Sequence, residues 1–154
     1  TLLLCSHVWA FDFTVIHTND LHSYVGGLGP DALFTAKTND KDPVFGHYSR
    51  LSYQIGLTKE KLKNKKEPYI LMDAGDFYAG TLFQILGPNE KTPVMPELEF
   101  FLYNEYDFST IGNHEFDAKD AGFYHMLNKV NAKKKNFKIL ASNLKFNTPN
   151  SRWK

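Results

Sequence analysis

The sequence predicts an α/β protein. Short apolar runs that read as strands alternate with longer amphipathic stretches that read as helices, and that alternation implies a layered α/β architecture. Three polar motifs punctuate the pattern: His17-Thr18-Asn19-Asp20-Leu21-His22, Asp73-Ala74-Gly75-Asp76, and Gly112-Asn113-His114-Glu115-Phe116-Asp117. Each directly follows one of the apolar runs.

Residues 11–17 alternate, with Phe11, Phe13 and Val15 on one side and Asp12, Thr14 and Ile16 on the other. They read as a first strand, with residues 18–23 as the loop at its C-terminal end. Residues 26–46 carry Gly, Pro, Asn and Asp throughout and show no periodicity, as expected of a long loop. Residues 49–63 read as a helix, with Leu51, Ile55 and Leu62 near one stripe and the lysines facing out. Gly56 weakens that helix by ~1 kcal/mol relative to Ala. Pro68 is expected to end it, and residues 69–72 form a second strand running into Asp73. Residues 77–93 mix small and apolar side chains around Gly80 and Gly87-Pro88. A second helix spans 96–104, with Pro96 suited to its first turn. Residues 108–111 are the third strand. Residues 118–133 are the third helix, with Phe123, Leu127 and Val130 on one stripe. Residues 137–141 are the fourth strand, followed by Ser142-Asn143-Leu144. There is no internal repeat. The tail 147–154 is polar and offers no closing element, so the domain is expected to be incomplete.

At 154 residues the chain can hold one domain with a real core, and an aromatic share of 15% favours a well-filled one. A formal net charge of +1 gives no electrostatic case for a nucleic acid or an anionic membrane as partner. The lysine-rich stretch 59–66 and the run Lys133-Lys134-Lys135 read as solvated helix faces or helix ends. No segment approaches the ~20 apolar residues of a membrane span. Residues 1–10 differ from the rest. Leu2-Leu3-Leu4-Cys5 looks like the tail of an apolar signal region, and Val8-Trp9-Ala10 offers a cleavage pattern. Residues 1–10 are therefore expected to be a signal-peptide remnant, with 11–154 as the catalytic part. Cleavage after Ala10 would remove Cys5, the only cysteine, and leave a mature segment without thiol or disulfide.

The motifs carry metal chemistry. Carboxylate, imidazole and amide oxygens gathered at strand ends are how a two-metal hydrolytic site is built. Asp20 and His22 are two apart, so on an extended segment both point the same way and can reach one cation. Taken alone, Asp-x-His reads rather as an Asx-turn with an exposed histidine. Asp76 follows a glycine that permits close backbone approach, and its carboxylate could bridge two cations ~3.5–4 Å apart. Asp73, one step inside the strand end, is expected to cap the turn or the next helix. In the third motif the Asn113 amide oxygen is a hard neutral ligand, and His114 is free to work on a substrate. Asp117, three residues on, can bond that imidazole and fix its tautomer or favour its protonated form. Glu115 and Asp117 also lie where a helix N-terminus is expected, so dipole complementation is the simpler role for both.

These strings resemble the signature of calcineurin-like metallophosphoesterases, and specifically the 5′-nucleotidase/apyrase branch. Gly80-Thr81 and Tyr48-Ser49-Arg50-Leu51 are similar to that branch too, and the resemblance runs from about Phe11 to Leu144. It implies the N-terminal part of a four-layer α/β/β/α sandwich, two divalent ions (Zn, Mn, Mg or Ca), and a nucleotide phosphoester as substrate, attacked in line by water. By the resemblance, Asp20 and His22 would hold the first metal, Asp76 would bridge both, and Asn113 would hold the second. His114, aided by Asp117, would stabilise the transition state or protonate the leaving group. The family's later histidine ligands and its C-terminal nucleotide-binding domain have no counterpart here; His7, His47 and His125 match none of its motifs and read as surface histidines. The fragment alone is expected to be inactive. The longer enzyme is expected to be secreted, periplasmic or on the cell surface. Two rivals stay open: a cyclic-nucleotide or nucleotide-sugar hydrolase of the same superfamily, and a non-catalytic metal-binding fragment.

Overall fold

The computed structural model describes residues 12–27, 46–133 and 136–143. The proposed signal segment with Cys5 and His7, most of the long loop, Lys134 and Lys135, Leu144 and the polar tail lie outside the described residues. Four strands form one sheet in the order β1-β2-β3-β4: β1 Thr14–Thr18, β2 Tyr69–Asp73, β3 Phe108–Thr110 and β4 Lys138–Leu140. All neighbours are parallel, with Ile16 opposite Leu71, Asp73 opposite Ser109, and Ser109 opposite Ile139. The helices α1 Tyr48–Lys65, α2 Pro96–Tyr103 and α3 Lys119–Ala132 alternate with them, and two 3-10 turns at Leu82–Ile85 and His114–Ala118 complete the order.

A parallel sheet that adds strands one at a time in one direction, through right-handed crossovers, puts all its helices on one face. The burial follows. Leu71 and Ser109, on the helix side, are wholly buried, whereas Val15 is 50% exposed and Leu140 45% exposed on the other side. Phe13, just before β1, is 51% exposed. Over residues 12–17 the expected alternation is present, but its more apolar side faces away from the helices.

Each helix has a local cause. Tyr48, Ile55 and Leu62 of α1 recur every two turns and are buried. The helix stops at Lys66, whose left-handed φ of 56° lets the Lys66 and Glu67 N–H groups return to the Leu62 and Lys63 carbonyls. The stop thus comes two residues before Pro68. Pro96 sits in the first turn of α2, and Leu98, Phe100 and Phe101 are buried from it. In α3, Phe123 and Met126 are buried, with Leu127 and Val130 packed partly against the core. The aromatic residues fill the centre: Phe101 lies 4.8 Å from Tyr106, 5.1 Å from Phe137 and 5.4 Å from Phe77, centroid to centroid.

A candidate metal centre at the carboxyl edge of the sheet

Parallel strands end on one edge, so the loops after β1, β2 and β3 meet there. The first two run side by side beyond the strands. Ala74 N–H donates to the Thr18 carbonyl at 2.8 Å, Asp20 N–H to Gly75 at 3.1 Å, His22 N–H to Asp76 at 3.1 Å, and Ser23 N–H to Phe77 at 2.9 Å. Asp20, His22, Ser23 and Asp76 all adopt left-handed backbone, at φ 54°, 46°, 52° and 54°. Non-glycine residues rarely hold that conformation, and it costs of order 1 kcal/mol or more each. This corrects the extended geometry expected for residues 20–22. Asp20 and His22 come together through a turn, with the carboxylate Oδ1 3.5 Å from His22 Nε2.

The loop after β3 closes onto the loop after β2 through two glycines. A Cβ on Gly75, whose φ is 96°, would lie 2.7 Å from the Gly112 nitrogen. A Cβ on Gly112 would overlap the Asp76 carboxylate and lie 2.7 Å from the Asp76 nitrogen. His114 N–H then donates to Asp76 Oδ1 at 2.9 Å. The result is one cluster. His22, Asp76 and His114 each offer a ligand atom within 4.8 Å of the others, and the two imidazoles meet edge to face at 4.8 Å. Mixed imidazole and carboxylate donors of this kind suit zinc or manganese, so the residues present fit a divalent ion.

Asp20 touches the cluster through His22, and Asn113 stands exposed on the β3 loop next to His114. The sequence assigns His114 to the substrate and not to the metal; one of its ring nitrogens lies within 4.8 Å of candidate ligand atoms of His22 and Asp76. Its Nδ1 is 2.7 Å from Asp117 Oδ2, which leaves Nε2 outside that bond. The bond to Asp117, aided by the same carboxylate's charge, raises the His114 pKa. His47 stands at the N-cap of α1, in a cavity it shares with Asp20, and His125 Nε2 lies 3.3 Å from Glu90; neither belongs to the His22, Asp76 and His114 cluster.

Two carboxylates beneath the site are buried. Asp73 accepts from Thr18 Oγ1 at 2.6 Å, Ser109 Oγ at 2.9 Å and the Gly75 N–H at 3.0 Å, which ties the turn as expected. Glu115 is not a dipole residue at an exposed helix start. It is wholly buried and accepts three backbone N–H groups. The sequence signal was slight: a glutamate three residues past a strand-end glycine whose N–H has left the ladder.

A parallel α/β sheet with imidazole and carboxylate groups converging at its carboxyl edge defines an α/β domain with a candidate metal site. The calcineurin-like phosphoesterase family model matches residues 13–152, and the chain belongs to that family. Relatives include the snake venom 5′-nucleotidase of Crotalus adamanteus, 32% identical over 94% of this chain and 23% of its own length. The human 5′-nucleotidase is 32% identical over 91% of this chain and 22% of its own length. The chain thus spans less than a quarter of these relatives. Among solved structures, the 5′-nucleotidase precursor of Thermus thermophilus superposes with a TM-score of 0.57 at 21% identity, covering 82% of this chain and 21% of that one. The NAD nucleotidase of Haemophilus influenzae gives 0.56 at 23% identity over 82% and 22%. These likenesses agree with the α/β fold expected as part of a metallophosphoesterase sandwich.

Proposed function

We propose that this chain is the metal-binding N-terminal part of a 5′-nucleotidase-like phosphohydrolase that converts a nucleotide to a nucleoside and phosphate. The observation that carries the reading is the meeting of His22, Asp76 and His114 at the sheet edge, with His114 backed by Asp117. In this reading Asp20 and His22 hold one divalent ion, Asp76 is shared, and Asn113 serves a second. The ions, when bound, supply an activated water and neutralise charge on the phosphate. His114 keeps a proton on the side facing the substrate because Asp117 favours the imidazolium, and it donates to the leaving oxygen or to a phosphoryl oxygen. The nucleotidase relatives support a nucleotide as the substrate.

The test uses the full-length protein with AMP and Mn²⁺ or Zn²⁺. Asp76→Ala should strip metal and activity together. His114→Ala should lower kcat by roughly 10²–10⁴-fold and leave metal content nearly unchanged. Equal metal loss in both variants would make His114 a ligand, as its distance to His22 and Asp76 allows. No metal-dependent phosphate release by the unaltered protein would overturn the reading. Export belongs to the same proposal: secreted material should begin at Phe11, and material retaining residues 1–10 would count against it.

A further inference from the structure

Glu115 has no part in the chemistry just described, yet it touches both loops that create the site. Its Oε2 accepts from the Asp76 N–H at 3.0 Å and the Gly112 N–H at 2.7 Å, and its Oε1 accepts from the Tyr78 N–H at 3.0 Å. One side chain thus satisfies donors on the loop after β2 and on the loop after β3. Nothing local requires this: three N–H groups of irregular backbone at strand ends would otherwise be left to solvent or to strain. Asp76 in particular holds a left-handed φ of 54°, and the N–H that anchors it points at Glu115. On its other side the Asp76 carboxylate takes the His114 N–H. Asp76 and His114 therefore stand at a fixed separation because Glu115 ties their loops from below. Burial raises the Glu115 pKa, and the three N–H bonds act against that rise by favouring the carboxylate.

We propose that Glu115 is a positioning residue for the metal centre: it sets the spacing of the Asp76 and His114 loops, and through it the affinity for the divalent ion. The proposal rests on the phosphohydrolase reading only for its consequence in catalysis, because metal binding can be measured without substrate. Glu115→Gln keeps the volume but must turn an NH₂ group toward one set of donors. Glu115→Asp keeps both acceptor oxygens on a stem one carbon shorter. Met126→Ala, in the core of α3, serves as a control that lowers stability away from the site.

The experiment is calorimetric titration of the metal-free full-length protein with Mn²⁺, beside thermal melts of the same metal-free samples. Glu115→Gln should weaken Mn²⁺ binding roughly ten- to hundred-fold, the range seen when the partners that orient metal ligands are removed. Glu115→Asp should recover part of that loss. Met126→Ala should lower the melting temperature and leave Mn²⁺ affinity unchanged. If Glu115→Gln fails to fold, the comparison of Glu115→Asp with Met126→Ala still decides. Wild-type Mn²⁺ affinity in the Glu115 variants that fold, or an equal loss in Met126→Ala, would overturn the proposal. Intact Mn²⁺ binding without AMP hydrolysis by the unaltered protein would sink the phosphohydrolase reading and leave Glu115's role standing.

Discussion

His114 carries a bond that decides its protonation. Asp117 Oδ2 lies 2.7 Å from its Nδ1 and raises its pKa. The sign follows directly. The bond favours the imidazolium, so its contribution is fully present below the ordinary histidine value of ~6.5 and is lost as pH rises through the raised one. In metal-free protein followed by NMR, His114 should therefore titrate above an ordinary histidine. Asp117→Asn should bring its midpoint down, and an unmoved midpoint would separate the two residues. Gly112 is another residue whose identity the geometry dictates. Any Cβ there would overlap the Asp76 carboxylate. Gly112→Ala should therefore displace Asp76 and cost metal affinity out of proportion to the single methyl added, which metal titration of the variant checks.

At the scale of the elements, α1 and α2 make opposite predictions. Gly56 lies in α1, exposed, with nothing within 4 Å of where a Cβ would stand. Gly56→Ala should stabilise the protein by about 0.5–1 kcal/mol, because the unfolded chain loses freedom and the helix gains propensity. An unchanged or lowered melting temperature would contradict it. Glu97, in the first turn of α2, is wholly buried. One of its oxygens accepts from Ser23 Oγ, while its Oε2 and the Tyr48 hydroxyl find no partner among the described residues. Burial raises its pKa, against the pull of the Ser23 bond. A carboxyl raised in the fold is most stabilising below its unfolded pKa of ~4.3 and loses stability as pH climbs through the folded value. Glu97→Gln removes that loss. Its melting temperature should gain on the wild type as pH rises from 5 to 8, and a pH-independent difference would show that Glu97 does not titrate there.

At the scale of the whole molecule, the one-way strand order sets, among the described residues, a helix-covered face against a half-exposed one. Leu71 is wholly buried under the helices, whereas Val15, one strand away and facing the other side, is 50% exposed. Measured on this chain, Leu71→Ala should cost about 2–5 kcal/mol, the usual range for a buried leucine. Val15→Thr should cost less than ~1 kcal/mol and reduce self-association, since it takes apolar surface out of water contact. Chemical denaturation and light scattering of the two variants test this. A large cost for Val15→Thr would mean that its face is covered.

The strand and helix periods, the proline that opens α2 and the three motifs behind strand ends were all legible in the sequence, because they are local. Repeats of two and 3.6 residues need no tertiary information, and the sheet's parallel form follows from the alternation of strand and helix. That is why each element lies within a few residues of its expected bounds. The left-handed turns at Asp20, His22 and Asp76 were not legible, because non-glycine residues reach that conformation only when the surrounding bonds fix them. Nor was the burial of Glu115, since its three donors come from residues 76, 78 and 112. Their meeting depends on two parallel strands ending side by side. The sequence by itself determined on which strand ends the three polar motifs sit. The tertiary structure alone decided that His114 meets His22 and Asp76 in one cluster, with candidate ligand atoms within 4.8 Å of one another, and that Glu115 lies beneath them, because long-range pairing sets those distances and no local period encodes it.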